Sequence, residues 1–513
     1  MLSRIHSVGV RGVEGYPVLV ELDLANGLPA YATVGLPDSA VKESRERVAS
    51  AVRNSGFQFP PRKVTVNLAP AQSRKEGTQF DLPIALAFLS ASGQLPQGDW
   101  PKRYCFVGEL ALDGALRPVP GVLPMAEQAR EAGFSAIIVP AGNADEARAT
   151  GMPTLPASTL REVAAFLSDP VAVSNEDCAP DLSDVSHDID LSDVRGQGLA
   201  KRALEIAAAG GHNLLFVGPP GSGKSMLARR LITILPPLSR AEALEVTRVH
   251  SVGRRGPGGL VSRRPFRAPH HTSSTVSLIG GGPAGRPGEV SLAHGGVLFL
   301  DELGEFGRAA LECLRQPLED GKAVVARARD VVEYPARFQL VAATNPCPCG
   351  YRGHPTRRCS CTPPAVDRYV GKLSGPLLDR VDLQVDVNPV PFDDWARERS
   401  GAEETSAAVL ARVEAARAVQ GRRWGQSVFS LNAFAPAAQL RARCGLGGEA
   451  LAILESASAA LSLSARSLDR ALKVARTIAD LAGAAGVGPE HVKEALQYRR
   501  LDRDRSPGHG GSL

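Results

Sequence analysis

The segment from Gly218 to Ser225, GPPGSGKS, has the residue types and the spacing of a phosphate-binding loop. Glycines allow successive backbone N–H groups to turn toward phosphate oxygens, and the N-terminus of a following helix adds positive potential. Lys224 is expected to reach the β- and γ-phosphates of ATP, and Ser225 to ligate Mg²⁺. The residues predicted to contact the nucleotide are Gly218, Pro219, Pro220, Gly221, Ser222, Gly223, Lys224, Ser225 and Met226.

A second candidate is the acidic pair Asp301 and Glu302, which follows the apolar run VLFL. Two carboxylates at the end of a buried strand are costly unless they serve a cation or a water. Asp301 is therefore predicted to hold Mg²⁺ through water, and Glu302 to polarise an attacking water. Asn345 follows another apolar run, QLVAAT, and is predicted to orient that water. The alternative is that Asp301 and Glu302 are ordinary surface acids without a catalytic role. Together with the phosphate-binding loop, these residues predict ATP hydrolysis.

Such groups converge only if parallel strands present their carboxyl ends at one sheet edge. The strand NLLFV precedes the loop, and a segment with helical apolar spacing follows it. The central chain alternates strands and helices, which predicts an α/β core, whereas a mixed α+β segment precedes it and helical patterns alone follow Pro391.

A chain of 513 residues is too long for one compact core. Between Ala172 and Val194 the sequence has seven acidic residues and no Lys or Arg, which is typical of a solvated linker. The predicted units are an α+β domain at 1–171, an acidic linker at 172–190, the α/β core at 191–390, a helical lid at 391–500 and a disordered tail at 501–513.

Lys224 and Asp301 are 77 residues apart, more than the roughly 30 residues of a minimal βαβ unit, so an insertion is predicted between them. It is rich in glycine and arginine and includes the pair His270 and His271. A metal site at this pair lacks a nearby third ligand, which favours a structural or pore role.

A hairpin is predicted just before the strand of Asn345, from two short β-runs around a turn. Arginines on both insertions are expected to meet the phosphates of DNA. The alternative is solvated charge on mobile loops. The predicted DNA contacts are Arg263, Arg264, Arg327 and Arg329.

Four cysteines lie within residues 347–361, in the segment CPCGYRGHPTRRCSC. Soft sulfur ligands around a tight turn favour tetrahedral Zn²⁺. The one-residue spacing within each pair differs from the usual two-residue knuckle, so reduced cysteines without metal and a redox role stay open as alternatives. The predicted zinc ligands are Cys347, Cys349, Cys359 and Cys361.

The order of GPPGSGKS, FLDE, AATNPCPCG and GPLLDRVDL resembles that of AAA+ ATPases of the magnesium-chelatase-like group, most closely the ComM/YifB family. The likeness runs through most of the chain, including the stretch FRAPHHTSSTVSLIGGG. It implies the α/β fold class, an AAA+ P-loop NTPase core with a helical lid. By resemblance Asn345 is sensor 1, Arg380 is an arginine finger for a neighbouring subunit, and Arg466 is sensor 2, facing the nucleotide from the lid. Gln197 is expected near the base.

The same resemblance implies a homo-hexameric, ATP-dependent DNA helicase that acts on single-stranded or branched DNA and promotes branch migration during natural transformation. One rival hypothesis is a magnesium-chelatase-type motor that remodels a protein partner. The sequence has no integrin-like metal domain, which weakens this hypothesis. Another is a nonenzymatic scaffold, against which the complete set of nucleotide-site motifs argues.

Residues 1–171 contain stretches, such as VNLAPAQSRKEGTQFDLPIALAFL, that resemble the proteolytic domain of Lon. A Ser–Lys dyad needs a serine and a lysine where Gln79 and Leu123 stand. Ser73 and Thr78 keep hydroxyls but have no lysine placed to activate them. The Lon/S5-like domain is therefore predicted to be inactive and to serve assembly or DNA contact.

The net charge of +5 permits an anionic partner without requiring one. The first residues lack the apolar segment of a signal peptide, and no uncharged apolar run is long enough to span a bilayer. A cytoplasmic location without a membrane partner is expected.

Overall fold

The computed structural model describes most of the chain. The described residues are 1–169, 188–253, 258–282, 285–327, 330–372, 375–390, 403–425, 430–461 and 463–499. The predicted linker lies outside this set up to residue 187, and the predicted tail lies outside it entirely. The domain boundaries themselves stay predictions.

Residues 1–169 form an α+β unit with two main sheets. The first has strand order β1-β2-β4-β3, and the second is a parallel sheet of order β5-β8-β9. Helix α2, DLPIALAFLSA, is buried along nearly its whole length because almost all of its residues are apolar. The strands are β1 (Leu2–Arg11), β2 (Glu14–Ala25), β3 (Ala30–Val34), β4 (Lys63–Ala69), β5 (Tyr104–Phe106), β6 (Glu109–Leu110), β7 (Leu116–Arg117), β8 (Ala136–Pro140) and β9 (Thr154–Ala157). The helices are α1 (Ser39–Asn54), α2 (Asp81–Ala91), α3 (Trp100–Arg103), α4 (Val122–Glu131), α5 (Ala144–Arg148) and α6 (Leu160–Ser168).

The central unit is built on a five-stranded parallel sheet of order β11-β14-β17-β10-β18. Its inner strands read LLFV, VLFL and QLVAAT and are buried at every position, because helices cover both faces. The predicted α/β core is thus confirmed. The strands are β10 (Leu214–Val217), β11 (Phe266–Arg267), β12 (Gly280–Gly281), β13 (Arg286–Pro287), β14 (Val297–Leu300), β15 (Lys322–Arg327), β16 (Asp330–Pro335), β17 (Gln339–Thr344) and β18 (Leu383–Asp386).

Short helices connect these strands, and two small antiparallel ribbons are separate from the five-stranded sheet. The ribbons are β12–β13 and β15–β16, and the second is the hairpin that the sequence predicts before the strand of Asn345. The helices are α7 (Gly198–Gly210), α8 (Lys224–Arg230), α9 (Arg240–Ser251), α10 (Thr275–Ile279), α11 (Glu289–Leu292), α12 (Arg308–Glu312), α13 (Arg315–Asp320), α14 (Pro363–Gly371) and α15 (Gly375–Leu378).

The C-terminal part is helical, as predicted. The apolar face of helix α19 is buried, and a buried ion pair between Arg476 and Asp480 at 2.8 Å lies within it. Arg476 also donates to the carbonyl oxygen of Ala484 at 2.7 Å, which connects the helix to the loop after it. Arg423 also donates to Asp480, at 2.6 Å. The helices are α16 (Ser406–Trp424), α17 (Ala437–Arg443), α18 (Gly448–Leu461), α19 (Ala465–Leu481) and α20 (Pro489–Gln497).

The N-terminal unit packs on the central one through both charge and apolar contacts. Arg248 pairs with Glu127 at 2.8 Å, and Ser251 donates to the buried carboxylate of Glu146. Burial raises the pKa of Glu146. Val13 packs on the apolar cluster that contains strands β14 and β15. None of the described helices has the length and apolar character needed to cross a membrane.

Candidate nucleotide site and cysteine centre

The phosphate-binding loop joins β10 to α8 and is built on left-handed glycines. Gly221 and Gly223 have φ angles of 77° and 92°, a backbone conformation that residues other than glycine rarely adopt. A Cβ on Gly218 would lie 2.2 Å from the carbonyl oxygen of Val387, so this position also requires glycine. The loop is therefore held tightly against the end of β18, with its N–H groups at the start of a helix.

Lys224 lies between the loop and the end of β17. Its Nζ donates to the carbonyl oxygens of Gly218 at 2.7 Å and Pro219 at 2.8 Å, and it lies 3.4 Å from Asn345 Oδ1. Burial lowers the pKa of Lys224, although the nearby carboxylates of Asp301 and Glu302 oppose that effect. The structure thus brings the predicted lysine and the predicted sensor asparagine together.

Ser225 and Asp301 form an oxygen pair suited to Mg²⁺. Ser225 Oγ donates to Asp301 Oδ2 at 2.6 Å, and the backbone N–H of Glu302 donates to Asp301 Oδ1 at 2.9 Å. Mg²⁺ prefers oxygen ligands and keeps several waters. One hydroxyl and one carboxylate beside a phosphate site fit that requirement.

Glu302 follows directly and has a left-handed backbone, with φ of 52°. A non-glycine residue rarely adopts this region, and such strain is concentrated at functional sites. Its carboxylate is partly exposed, and its Oε2 lies 3.2 Å from Nδ1 of His271. Sequence reasoning assigned the histidine pair a structural or pore role and missed this contact.

Gln197 lies at the same edge of the sheet. It begins α7 with φ of 56°, and its Nε2 donates to the carbonyl oxygen of Asn388 at 2.5 Å. Asn388 follows β18, beside the phosphate-binding loop. This placement is compatible with the predicted proximity of Gln197 to the base.

The two predicted arginines lie at the opposite edge. Arg380 precedes β18, whose other end, Asp386, is paired with Val217 just before the phosphate-binding loop. A four-residue strand, roughly 13 Å long, therefore separates Arg380 from the nucleotide edge of its own chain. The guanidinium of Arg380 pairs with Glu319 and lines a cavity of about 680 Å³.

Arg466 accompanies Arg380. The pKa of Glu319 is lowered chiefly by its hydrogen bond from Arg380, and the charge of Arg466 contributes as well. The lid is docked there because Arg499 donates to Val381 at 3.1 Å and Arg470 lies 3.7 Å from Asp382. These contacts place Arg466 near Glu319, and its predicted role as sensor 2, facing the nucleotide from the lid, stays a prediction.

The four predicted zinc ligands form one cluster. Their sulfur atoms all lie within 4.8 Å of one another. Cys347 Sγ is 3.4 Å from Cys349 Sγ and 3.6 Å from Cys359 Sγ, too long for disulfides. Tetrahedral Zn²⁺ with Zn–S bonds of about 2.3 Å requires sulfurs about 3.8 Å apart, so the set fits this ion.

Backbone groups support the sulfurs and connect the cluster to the nucleotide loop. The N–H of Cys349 donates to Cys361 Sγ at 3.3 Å. Hydrogen bonds from the backbone N–H groups of Tyr351 and Ser360 lower the pKa of Cys349 to about 5. A Cβ on Gly350 would lie 2.5 Å from Pro220 Cδ, so the cysteine loop packs directly on the phosphate-binding loop.

Comparison with known proteins decides the family. Models described as "Magnesium chelatase, subunit ChlI", "Subunit ChlI of Mg-chelatase" and "Magnesium chelatase, subunit ChlI C-terminal" match residues 190–395, 20–143 and 403–499. The chain is 46% identical over 506 residues to the "Uncharacterized protein YifB" of Escherichia coli strain K12. It is 44% identical over 509 residues to the "Competence protein ComM" of Haemophilus influenzae. Both matches cover 98% of this chain and 98% of the relative.

The chain belongs to the ComM/YifB family of magnesium-chelatase-like AAA+ proteins. In this ComM/YifB chain the predicted DNA-contacting arginines differ in their surroundings. Arg263 is exposed. Arg264 is not available, because its guanidinium donates to the carbonyl oxygens of Pro236 and Gly295 and pairs with Glu242 at 3.0 Å. These partners do not favour a DNA contact at Arg264, which stays a prediction.

The other two predicted DNA contacts lie at the hairpin tip. Arg327 is the last residue of β15, but its side chain lies outside the described residues, as does all of Arg329. The structure thus supports the presence of the hairpin and leaves both contacts as predictions.

In the N-terminal unit of the ComM/YifB chain, Lys75 lies beside Ser73 but does not form a hydrogen bond with the serine hydroxyl. Lys75 Nζ donates to the carbonyl oxygen of Ser73 at 2.8 Å rather than to its hydroxyl. Thr78 donates to Glu109 at 2.5 Å. At the position where a dyad serine was sought, Gln79 donates to the carbonyl oxygen of Glu76 at 2.8 Å, and Leu123 is buried.

Proposed function

We propose that this chain is an ATP-hydrolysing motor that acts on single-stranded or branched DNA as a homo-hexamer, promoting branch migration and recombination in natural transformation. The observation that carries the proposal is the convergence of Lys224, the pair Ser225 and Asp301, Glu302 and Asn345 at one sheet edge. The word "Competence" in the name of the H. influenzae relative supports the DNA setting.

In the proposed hydrolysis a water oxygen bonds to the γ-phosphorus while the bond to the bridging oxygen of ADP breaks. Glu302 accepts the proton of that water, and Asn345 orients it. Lys224 neutralises charge on the transferred group, and Ser225 and Asp301 are the residues that would hold Mg²⁺. When bound, Mg²⁺ neutralises charge on the β- and γ-phosphate oxygens.

The opposite placement of the arginines supports a ring. Arg380 cannot reach the nucleotide edge of its own chain across β18, whereas a head-to-tail neighbour would present its nucleotide edge to it. An arginine supplied from a neighbour typically accelerates phosphoryl transfer by about 10³ to 10⁵. Arg466 lies on the same side as Arg380 and is assigned to the same neighbouring site.

The cysteine cluster is proposed to hold one structural zinc ion. Its support is the spacing of four sulfurs and the contact between Gly350 and Pro220. A structural zinc closes a loop without taking part in chemistry. Here it would fix the segment that connects the sensor asparagine to α14, against the phosphate-binding loop.

A second candidate is a motor that remodels a protein partner, as the matched family descriptions name a magnesium chelatase subunit. The two functions differ in what stimulates ATP turnover. A DNA motor should bind DNA through the hairpin tip and lose that binding when the tip is neutralised. A protein remodeller should be indifferent to DNA.

The test uses the double variant Arg327→Ala/Arg329→Ala and a labelled synthetic four-way junction. The variant should bind DNA more weakly at every sequence, with a salt dependence smaller by about two phosphates, because binding releases counterions. Basal ATP turnover should persist while junction migration is lost. Lys322→Ala, at the base of the same hairpin and paired with Glu333, is the matched control and should behave like wild type. Wild-type protein that fails to move junctions with ATP would contradict the proposal.

A further inference from the structure

The ring of Tyr369, a buried residue of α14, packs on the turn that follows the acidic pair. A Cβ on Gly304 would lie 2.6 Å from Tyr369 Cζ and 2.7 Å from its hydroxyl oxygen. Gly304 is the second residue after Glu302, so only a residue without a side chain leaves room for the ring there. Lys372, at the end of the same helix, donates to the carbonyl oxygen of Gly304 at 3.1 Å. The helix α14 therefore holds this turn at two points.

The hydroxyl of Tyr369 reaches the end of the neighbouring strand. β17 is paired with β10 as far as Thr344 and with β14 as far as Ala342, so the N–H of Asn345 lies beyond the ladder. Backbone N–H groups that are shielded from water need another partner. The phenol oxygen of Tyr369 forms hydrogen bonds with this N–H and with the hydroxyl of Thr344. Burial raises the pKa of Tyr369 and these hydrogen bonds oppose the rise, so the phenol is neutral and does not act as a base.

The side chain of Asn345 depends on that backbone position. Its Oδ1 lies 3.4 Å from Lys224 Nζ, and a Cβ on Gly350 would lie 3.8 Å from its Cγ. The amide is thus held between the phosphate-binding loop and the cysteine loop, and its backbone is held by Tyr369. A displacement of about 1 Å of a group that orients a reactant can lower a rate by about a hundredfold.

We propose that Tyr369 is a positioning residue for ATP hydrolysis, whose hydroxyl fixes Asn345 while its ring holds the turn after Glu302. The proposal rests on the proposed function, because it takes Asn345 as the group that orients the attacking water and Glu302 as the acceptor of its proton. Tyr369 acts through these two residues. It should therefore affect the rate of hydrolysis and leave the binding of ATP unchanged.

The experiment compares Tyr369→Phe with wild-type protein in steady-state ATP turnover and in ATP binding. The variant keeps the ring against Gly304 and loses only the hydroxyl. The expected result is a fall in kcat of roughly tenfold, the order expected from the loss of one buried hydrogen bond, with KM and the affinity for ATP unchanged.

Tyr498→Phe is the matched control, because Tyr498 is 1% exposed and its hydroxyl is directed to Glu494 of the lid at 3.5 Å. Each of the two variants loses one buried hydroxyl, so both should show a similar small change in melting temperature. Only Tyr369→Phe should lose turnover. An unchanged kcat in Tyr369→Phe, or an equal fall in Tyr498→Phe, would overturn the positioning role.

The double variant Tyr369→Phe/Asn345→Ala identifies the residue through which the hydroxyl acts. Asn345→Ala should lower kcat by about a hundredfold, and the added Tyr369→Phe should change the residual turnover by less than about twofold, because the side chain to be positioned is already absent. A further tenfold loss in the double variant would contradict a role through Asn345. If Asn345→Ala turned over ATP like wild type, the role of Asn345 in the proposed function would fail and this proposal with it. An unchanged Tyr369→Phe beside an impaired Asn345→Ala would reject only the role of Tyr369.

Discussion

Arg380→Ala should abolish turnover while leaving the fold intact. The guanidinium side chain is 11% exposed and pairs with Glu319, which is 59% exposed and stays solvated when the arginine is removed, so the loss should cost only about 1 kcal/mol of stability. Because Arg380 lies across β18 from its own phosphate-binding loop, its loss should act on the nucleotide of a neighbour. The expected fall in kcat is by a factor of about 10³ or more.

Mixing Arg380→Ala chains with Lys224→Ala chains allows the recovered ATP turnover to be predicted from this geometry. Each interface needs a phosphate-binding loop from one chain and an arginine from the next. In a one-to-one random ring, roughly a quarter of interfaces combine an intact loop with an intact arginine, since the two contributions are drawn independently. Independent sites should therefore recover up to about a quarter of the wild-type rate, although each variant alone is inactive.

The assay is phosphate release from mixed chains, with mixing verified by energy transfer between two labels. Arg315→Ala is the matched control, because Arg315 lines the same cavity as Arg380 but pairs with Glu312, three residues before it in the same chain. It should keep most of its activity. Verified mixed rings that remain inactive would refute the assignment of Arg380 to the neighbouring site.

Three further results are expected. Purified protein should contain about one zinc ion per chain by elemental analysis, and Cys347→Ser/Cys349→Ser should lose it; active, fully folded protein without zinc would reject the structural role. Arg263→Ala should weaken DNA binding at an unchanged melting temperature. Arg264→Ala should instead cost roughly 2–4 kcal/mol of stability, because it removes a largely buried set of hydrogen bonds. A stable Arg264→Ala beside a destabilised Arg263→Ala would contradict the environments assigned to the two residues. Arg476→Ala should destabilise the lid by roughly 2–4 kcal/mol in thermal unfolding, because it removes one of the two arginines that pair with the buried Asp480 and leaves the carbonyl groups of Ala484 and Ala485 without their donor. A change below about 1 kcal/mol, the level of an exposed pair, would argue against that burial.

The parts of the site that the sequence predicted are those with a local signature. The runs LLFV, VLFL and QLVAAT indicated fully buried parallel strands, and Lys224, Asp301 and Asn345 follow from where those strands end. The hairpin β15–β16 and the buried face of α19 were predictable because their apolar periods are regular.

The remaining parts depend on contacts between distant segments. In the sequence, Arg264 cannot be distinguished from an exposed loop arginine. Its burial follows from contacts with Glu242 and two carbonyl groups that lie far from it in the chain. Arg466 has a helical pattern that reveals its buried neighbours but not the edge on which the lid docks. The contact of His271 with Glu302 required the pairing of β11 with β14, for which two paired residues offer little sequence signal.

The measurement that tests the account most directly is ATP turnover by wild-type protein and Glu302→Gln, with and without single-stranded DNA, alongside nucleotide binding. Wild-type protein should hydrolyse ATP and respond to DNA, whereas Glu302→Gln should bind ATP with similar affinity and not hydrolyse it. Equal turnover in the two proteins, or loss of ATP binding in Glu302→Gln, would contradict the assignment of the catalytic site. Turnover that DNA leaves unchanged would contradict the assignment of DNA as the substrate.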